Sequence, residues 1–373
     1  MRGRTAARIT IEITHSLTIR SRRRLHHRLS ILDESVGCTA DALERGVRFL
    51  LACQGGDGLW RDFVTPAGEA SQWPTGYIGT AVPLTGDTAY ALEQAADTLL
   101  ATQNLDGGWG YNENVPTDAD STAWVLRFLI RLGRTGDACQ RAASCLISHQ
   151  RSRNGGVATY LESHRIRRFM GLGRWVPFWG WCAPHTEVTA AAGQALMAAA
   201  CDDSPKRAQA AWRFVRSRQR ADGCWSSYWW TSPHFTTLQA VEFALAAGDL
   251  TAVRRAAQWM IVNQGDSGGL KFAGSADSAF ASALAVSILV RGNADGDHVD
   301  RAVMRLLELQ QADGGWLSHP IMQIPLPSDR NPNREGPWRP VRFGHGVVVP
   351  DQHRAFTSAT CVAALALAHA TGR

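Results

Sequence analysis

The sequence predicts an all-α fold: a closed α6–α6 toroid built from six helix pairs. Three observations lead there. First, Gln-x-x-x-Gly-x-Trp recurs at Gln54–Trp60, Gln103–Trp109, Gln219–Trp225 and Gln310–Trp316. Second, two weaker copies fill the series. Gln264–Leu270 keeps Gln and Gly but loses Trp, and at Gln150–Val157 NGGV stands in place of DGGW. The copies lie about 45 to 50 residues apart, with one gap of about 70, a period that belongs to stacked supersecondary units. Third, the helices on either side of each copy differ in kind. Those before it carry Arg, Glu and Gln on one face; those after it are rich in Ala and nearly uncharged. A polar-faced helix lies at the surface, and a helix that is apolar all round is buried.

In chain order, the polar-faced helices are predicted at Thr39–Cys53, Asp87–Thr102, Asp137–His149, Ser204–Arg218, Leu250–Asn263 and His298–Leu309. The apolar ones follow at Gln72–Val82, Asp118–Arg131, Thr186–Ala200, Phe235–Ala247, Asp277–Arg291 and Ala355–Ala370. Six outer and six inner helices close a ring. Between them, Asp-Gly and Gly-Gly supply the positive φ needed after a helix C-terminus. The Gln is expected to bond free carbonyls at that end, and the Trp to stack over the neighbouring helix start.

Composition bounds the rest. The chain has 373 residues, 45% hydrophobic and 19% charged, so it can bury a large core. Its 14 tryptophans point to recurring motifs or an aromatic-lined cavity. No apolar run is long enough to span a bilayer. The eight cysteines lie scattered without CxxC spacing, which suits buried free thiols better than disulfides or a metal site. Of the 39 basic and 33 acidic residues, eight Arg and one Glu fall before residue 29. That stretch therefore carries +7 and the remainder −1. A near-neutral body gives no indication of nucleic-acid binding. Residues 1–35 read as a disordered basic arm with some attraction to anionic lipid, and residues 36–373 as a single toroid domain. The expected location is cytoplasmic, with a peripheral membrane contact through the arm.

The stretch Gly107–Trp124, GGWGYNENVPTDADSTAW, concentrates the chemistry. Asp118 and Asp120 stand at a helix start. A single Asp suffices as N-cap, accepting free N–H groups and suiting the positive end of the dipole. Capping does not need Asp120 as well. With the four strict repeats, PTDADSTA resembles the Asp-x-Asp-Asp-Thr-Ala motif of squalene-hopene cyclases, oxidosqualene cyclases and related class II terpene cyclases, whose repeats are called QW motifs. The resemblance covers about Cys38 to His369. It implies that Asp120, matching the family's middle Asp, protonates an alkene and starts a cyclisation. Asp118 matches the first Asp, Thr122 and Ala123 match Thr-Ala, and Ser121 stands where bacterial enzymes have a further Asp. Full-length cyclases have two helical domains, whereas this chain has room for one toroid, which favours a substrate shorter than C30. The ligand so implied is an isoprenoid, either a prenyl diphosphate or a prenylated small molecule.

Such chemistry needs a shielded acid and a dry pocket of π faces that stabilise cations. The expected wall comprises Trp124, Trp179, Trp181, Tyr228, Trp229, Trp230 and Phe235, with His185 at an inner-helix start. Inner helices all run the same way, so their N-termini share one rim that favours anions. Arg174 and Lys271 are the expected head-group contacts, and the Pro-rich segment Pro320–Pro350 the expected lid. No metal ligand set is apparent; Mg2+ enters only with a diphosphate substrate. Oligomer and partner-subunit arrangements stay open. A toroid that binds isoprenoids without chemistry is the alternative. A protein prenyltransferase needs a zinc site, and Asp277 lacks the Cys two residues on that such a site requires. A glycosidase would pair Asp118 or Asp120 with Glu187 or Asp351 across the pocket.

Deleting the arm before about Leu32 should leave the thermal midpoint almost unchanged and reduce binding to anionic liposomes at low salt. A large loss of thermal stability would show instead that the arm packs on the toroid.

Overall fold

The computed structural model describes residues 37–161, 163–201, 203–270, 277–331 and 346–373. Helix α1 covers 37–52. It is followed by α2 (Gln72–Ala81), α3 (Gly86–Ala101), α4 (Ala119–Arg131), α5 (Asp137–His149), α6 (Ser163–Phe169) and α7 (Thr186–Ala199). Next come α8 (Ser204–Arg216), α9 (His234–Ala246), α10 (Leu250–Asn263), α11 (Ala279–Arg291), α12 (Gly296–Glu308) and α13 (Ala355–Ala370). The six apolar helices form the inner ring. Helix α2 packs on α4, α4 on α7, α7 on α9, α9 on α11, α11 on α13, and α13 back on α2.

Burial follows composition. Helix α11 is buried without interruption from Ala279 to Leu289. Outer helix α12 buries only Val299, Ala302, Val303 and Leu306, the one-stripe spacing of a helix with a wet back. Cys139, Cys145, Cys224 and Cys361 are buried, and all eight cysteines are free thiols.

The repeated turns hold the ring, and their bonding is six-fold. Each Gln amide donates twice, at 2.7 to 3.0 Å. One bond goes to a glycine carbonyl of its own turn and the other to a carbonyl in the first turns of the next outer helix. Gln54 thus reaches Ala91, Gln103 reaches Ala138, and Gln310 returns to Ala42 on α1. The last bond closes the toroid. The acceptors differ from expectation: they belong to the start of the following outer helix, because the turn docks there and not over the helix it ends.

The tryptophans are fixed as well. Their indole N–H groups point back into the preceding outer helix, from Trp60 to Leu50, Trp109 to Leu99, Trp225 to Val215 and Trp316 to Leu306. An indole has one donor, and the carbonyls of the last helical turn, which have lone pairs to spare, are buried acceptors within its reach. At the same motif position, the backbone N–H bonds a hydroxyl in the first turns of the inner helix. The partners are Thr75, Thr122, Thr189, Thr237, Ser282 and Ser358. The two copies without Trp keep this bond. Gly107 shows why the turn needs glycine: its φ is +88°, and a Cβ would lie 2.6 Å from the Arg141 carbonyl oxygen.

Three insertions rise at the inner-helix N-termini. One is the hairpin of β1 (Asp62–Thr65) and β2 (Gly68–Ala70), and another is the short helix α6. The third is the hairpin of β3 (Pro320–Ile324) and β4 (Val347–Pro350), paired Met322 to Val349 and Ile324 to Val347. These strands are the two ends of the segment expected to be a lid; 332–345 between them lie outside the described residues. The N-terminal arm and Lys271 lie outside them too.

Replacing Gln310 with Ala removes both closing bonds and leaves two carbonyls without that donor. Urea unfolding should show a loss of about 1 to 3 kcal/mol. Gln219→Ala, which breaks an equivalent link elsewhere in the ring, should cost about the same. A ring held mainly by apolar packing would lose nothing measurable in either variant.

Candidate active site

The inner-helix N-termini and the three insertions enclose a cavity of about 370 Å3. That lies within the usual size range of small-molecule sites. The inner ring contributes Trp73 from α2 and Asp120 and Ser121 from α4, with the cap residue Asp118 beside them. The segment before α9 adds Trp229 and Trp230, and that before α7 adds Trp181. The insertions supply Thr65–Ala67, Ile166, Phe169, Met170, Met322 and Ile324, while Tyr111, Val115, Thr159 and Tyr160 complete the wall.

Asp118 is the N-cap of α4. Its carboxylate accepts the backbone N–H of Ser121 at 2.8 Å and the Ser121 hydroxyl at 2.7 Å. Burial pushes its pKa up to about 6, and the two Ser121 bonds oppose the rise. Ser121 is therefore spent on Asp118 and not on Asp120.

Asp120, in the first turn, is partly accessible, and the space it reaches is the cavity. Desolvation raises its pKa well above the ordinary carboxyl value, and the charges of Asp118 and Glu187 add to the rise. The Trp73 indole N–H and the Arg127 guanidinium pull the other way. The Trp73 N–H makes no hydrogen bond of good geometry, so its pull is weak. Burial and the two neighbouring carboxyls thus move the Asp120 carboxyl toward its neutral form.

Glu187 is held in place by the backbone. One oxygen accepts the N–H groups of Tyr228 and Trp229, at 2.7 and 2.8 Å. Asp351 likewise serves the start of α13, accepting the Thr357 N–H at 2.7 Å. Both carboxylates of the glycosidase alternative are thus tied to helix starts and loop backbone. Among the described residues, no three His, Cys, Asp or Glu side chains converge as metal ligands.

The other sequence candidates separate by depth. Trp181, Trp229 and Trp230 line the cavity. Trp124 and Phe235 lie below it, in an aromatic floor. There Tyr77 stacks on Phe356 at 4.0 Å, Trp230 on Phe235 at 3.9 Å, and Tyr77 meets Trp124 edge-on at 4.8 Å. Under the floor, Arg127 sits over the Trp124 ring and pairs with Glu242, which also pairs with Arg291. Tyr228 and His185 stand behind the wall, stacked face to face at 3.6 Å. The ring nitrogens of His185 meet Thr159 and Gly180, not Asp120.

Trp179 is 54% exposed and bonds the Ser328 carbonyl outside the cavity. Arg174 is also exposed, in a shallow depression shared with Trp175 and Trp179. Both sit in the long insertion, where no repeat pattern dictates which side chains turn inward. The same lack of pattern hid Thr159, Tyr160, Ile166 and Met322 from sequence reasoning. Of the lining residues, the tryptophans, the two aspartates and Ser121 carried a signal in the sequence.

The profile of the squalene-hopene cyclase C-terminal domain matches residues 111–328. The chain is 29% identical over 267 residues to drimenyl diphosphate synthase of Streptomyces showdoensis, a match covering 68% of this chain and 46% of that protein. It therefore spans less than half the length of this curated relative. Among solved structures, a variant of the type II terpene cyclase MstE from Scytonema, in complex with geranylgeranyl dihydroxybenzoate, aligns with a TM-score of 0.83. That match has 29% identity and covers 90% of this chain and 99% of the other. Ligand-free MstE gives a TM-score of 0.81 at 30% identity, covering 90% and 100%. A protein from Actinoplanes gives 0.80 at 31% identity, covering 88% and 99%.

Asp118 gives a pH-dependent signature. A carboxyl that titrates higher in the folded chain than in the unfolded one binds protons preferentially when folded. It stabilises the fold at low pH, and the contribution is lost as pH rises from about 4 through 6. A shift of about two pH units is worth about 3 kcal/mol. Asp118→Asn keeps the cap and cannot titrate. Its unfolding free energy should therefore fall less than that of the wild type between pH 4 and 7, by about that amount; parallel pH profiles would contradict this.

Proposed function

Because the chain belongs to the squalene-hopene cyclase C-terminal domain family, we propose that it is a class II terpene cyclase that starts cyclisation by protonating an isoprenoid alkene, with Asp120 as the general acid. One observation carries this reading: Asp120 reaches the aromatic cavity, and burial and neighbouring carboxyls raise its pKa well above the ordinary carboxyl value. An unactivated alkene is a very weak base, so its acid must be protonated at working pH and shielded from water.

The reaction runs as follows. Asp120 gives its proton to the terminal alkene carbon, and the π pair forms the new C–H bond. The tertiary cation left behind is attacked by the next alkene of the folded chain, closing a ring; a neighbouring C–H then gives its proton to water while its electron pair forms the product alkene, and the Asp120 carboxylate regains a proton from solvent. Trp73, Trp181, Trp229 and Trp230 offer π faces that stabilise positive charge without capturing it. Asp118, anchored by Ser121, keeps a second carboxyl beside the acid and raises its pKa.

The substrate we propose is shorter than C30, a prenyl diphosphate or a prenylated small molecule. The similarity to MstE and to drimenyl diphosphate synthase supports both head groups. We further propose residues 36–373 as one catalytic toroid, with residues 1–35 appended to it. No described helix is long and apolar enough to cross a membrane.

The test is incubation with geranyl, farnesyl and geranylgeranyl diphosphates, a geranylgeranylated aromatic acid and squalene, with products identified by mass spectrometry. Asp120→Asn should lower turnover at least about 1000-fold while the protein stays folded and still binds substrate. Asp118→Asn should be milder, and Ser121→Asp tolerated. Normal turnover by folded Asp120→Asn would place the acid elsewhere.

A further inference from the structure

Thr159 joins the acid to the aromatic wall. Its carbonyl accepts the N–H of Ala119, the residue before Asp120. Its hydroxyl meets two side chains: Trp229 Nε1 at 3.0 Å and His185 Nδ1 at 3.1 Å. The direction of each bond follows from what the groups can do. An indole N–H only donates, so Thr159 accepts from Trp229. His185 Nε2 lies 3.1 Å from the Gly180 carbonyl, which only accepts. Burial holds this imidazole neutral, with a pKa lowered to about 3, so its single proton sits on Nε2. Nδ1 is then the acceptor, and the Thr159 hydroxyl donates to it. The hydrogen bonds therefore run one way, from Trp229 to Thr159 to His185 to Gly180.

Further contacts hold Trp229. Its backbone N–H is held by Glu187, and its carbonyl accepts the N–H of Gln323. Its ring meets Trp181 edge-on at 5.5 Å. His185 is fixed in turn by its stacking on Tyr228. A chain of this kind determines one thing, the plane of an indole that lines the cavity close to the proton donor.

We infer that Thr159, aimed by His185, is a positioning residue for Trp229, and that the indole orientation it sets selects which folding of the prenyl chain proceeds from protonation to ring closure. This rests on the cyclase reading above. A π face stabilises a cation only from above the ring, so a rotated indole would favour a different cation position.

Thr159→Val keeps the shape and removes the hydroxyl. It should change the ratio of the main cyclised product to side products by about fivefold or more, the equivalent of one net hydrogen bond. Thr159→Ser should restore the ratio. Trp229→Phe, whose ring has no N–H to hold, should produce a comparable change, and Thr159→Val should add nothing in that background. Independently of activity, the indole N–H resonance that disappears in Trp229→Phe should shift in Thr159→Val and stay in place in Thr159→Ser. An unchanged product ratio in folded Thr159→Val, or additive effects in the double variant, would overturn the inference. A wild-type protein that cyclises none of the substrates sinks the cyclase reading and the product-selecting role together. An indole resonance that ignores Thr159→Val sinks the positioning role alone.

Discussion

The structure depends on a side-chain amide that makes two hydrogen bonds at once. Each repeat Gln ties its own turn to the next outer helix, so every helix pair is coupled to its neighbour by a directional bond and not by apolar contact alone. Apolar packing is strong but tolerates sliding. Hydrogen bonds between buried or half-buried groups fix distance and angle. Six such links, the last returning to α1, leave the ring one closed geometry. That geometry holds the inner-helix N-termini on one rim, and the cavity is built there.

The rim sets up an electrostatic conflict that the site exploits. Helix N-termini favour anions, and Asp118, Glu187 and Asp351 accept that invitation by capping helices and holding loop backbone. Asp120 stands among them facing an apolar void. The charges of Asp118 and Glu187 act on it and, unlike them, it is not consumed by capping bonds, so the balance moves toward the neutral form. The Asp118–Ser121 pair shows how a serine in the motif's fourth position keeps the neighbouring carboxyl anchored.

Below the cavity the requirement is reversed. The aromatic floor separates Asp120 from Arg127, Glu242 and Arg291, partly buried charges that are paired with one another. Unpaired, they would draw water into the ring; paired, they seal its lower end. The result is a cavity with Asp118, Asp120 and Ser121 at one side and a mainly aromatic and aliphatic wall elsewhere, which suits the cyclisation proposed above.

The architecture was legible in the sequence because it repeats. A six-fold period, glycines at turns and a change from polar-faced to all-apolar helices need only local physics, and twelve helices lie close to the expected bounds. Asp118 and Asp120 were legible too, through their place at a helix start and the motif around them. What only the tertiary structure decided was which side chains face the cavity. Trp229 and Trp179 look alike in sequence, each in a tryptophan-rich loop before an inner helix. One is locked into the wall by Thr159 and Glu187, while the other bonds Ser328 on the outside. The difference lies in partners 70, 42 and 149 residues away, contacts among loops and helix starts that follow no simple period and exist only once the ring has closed.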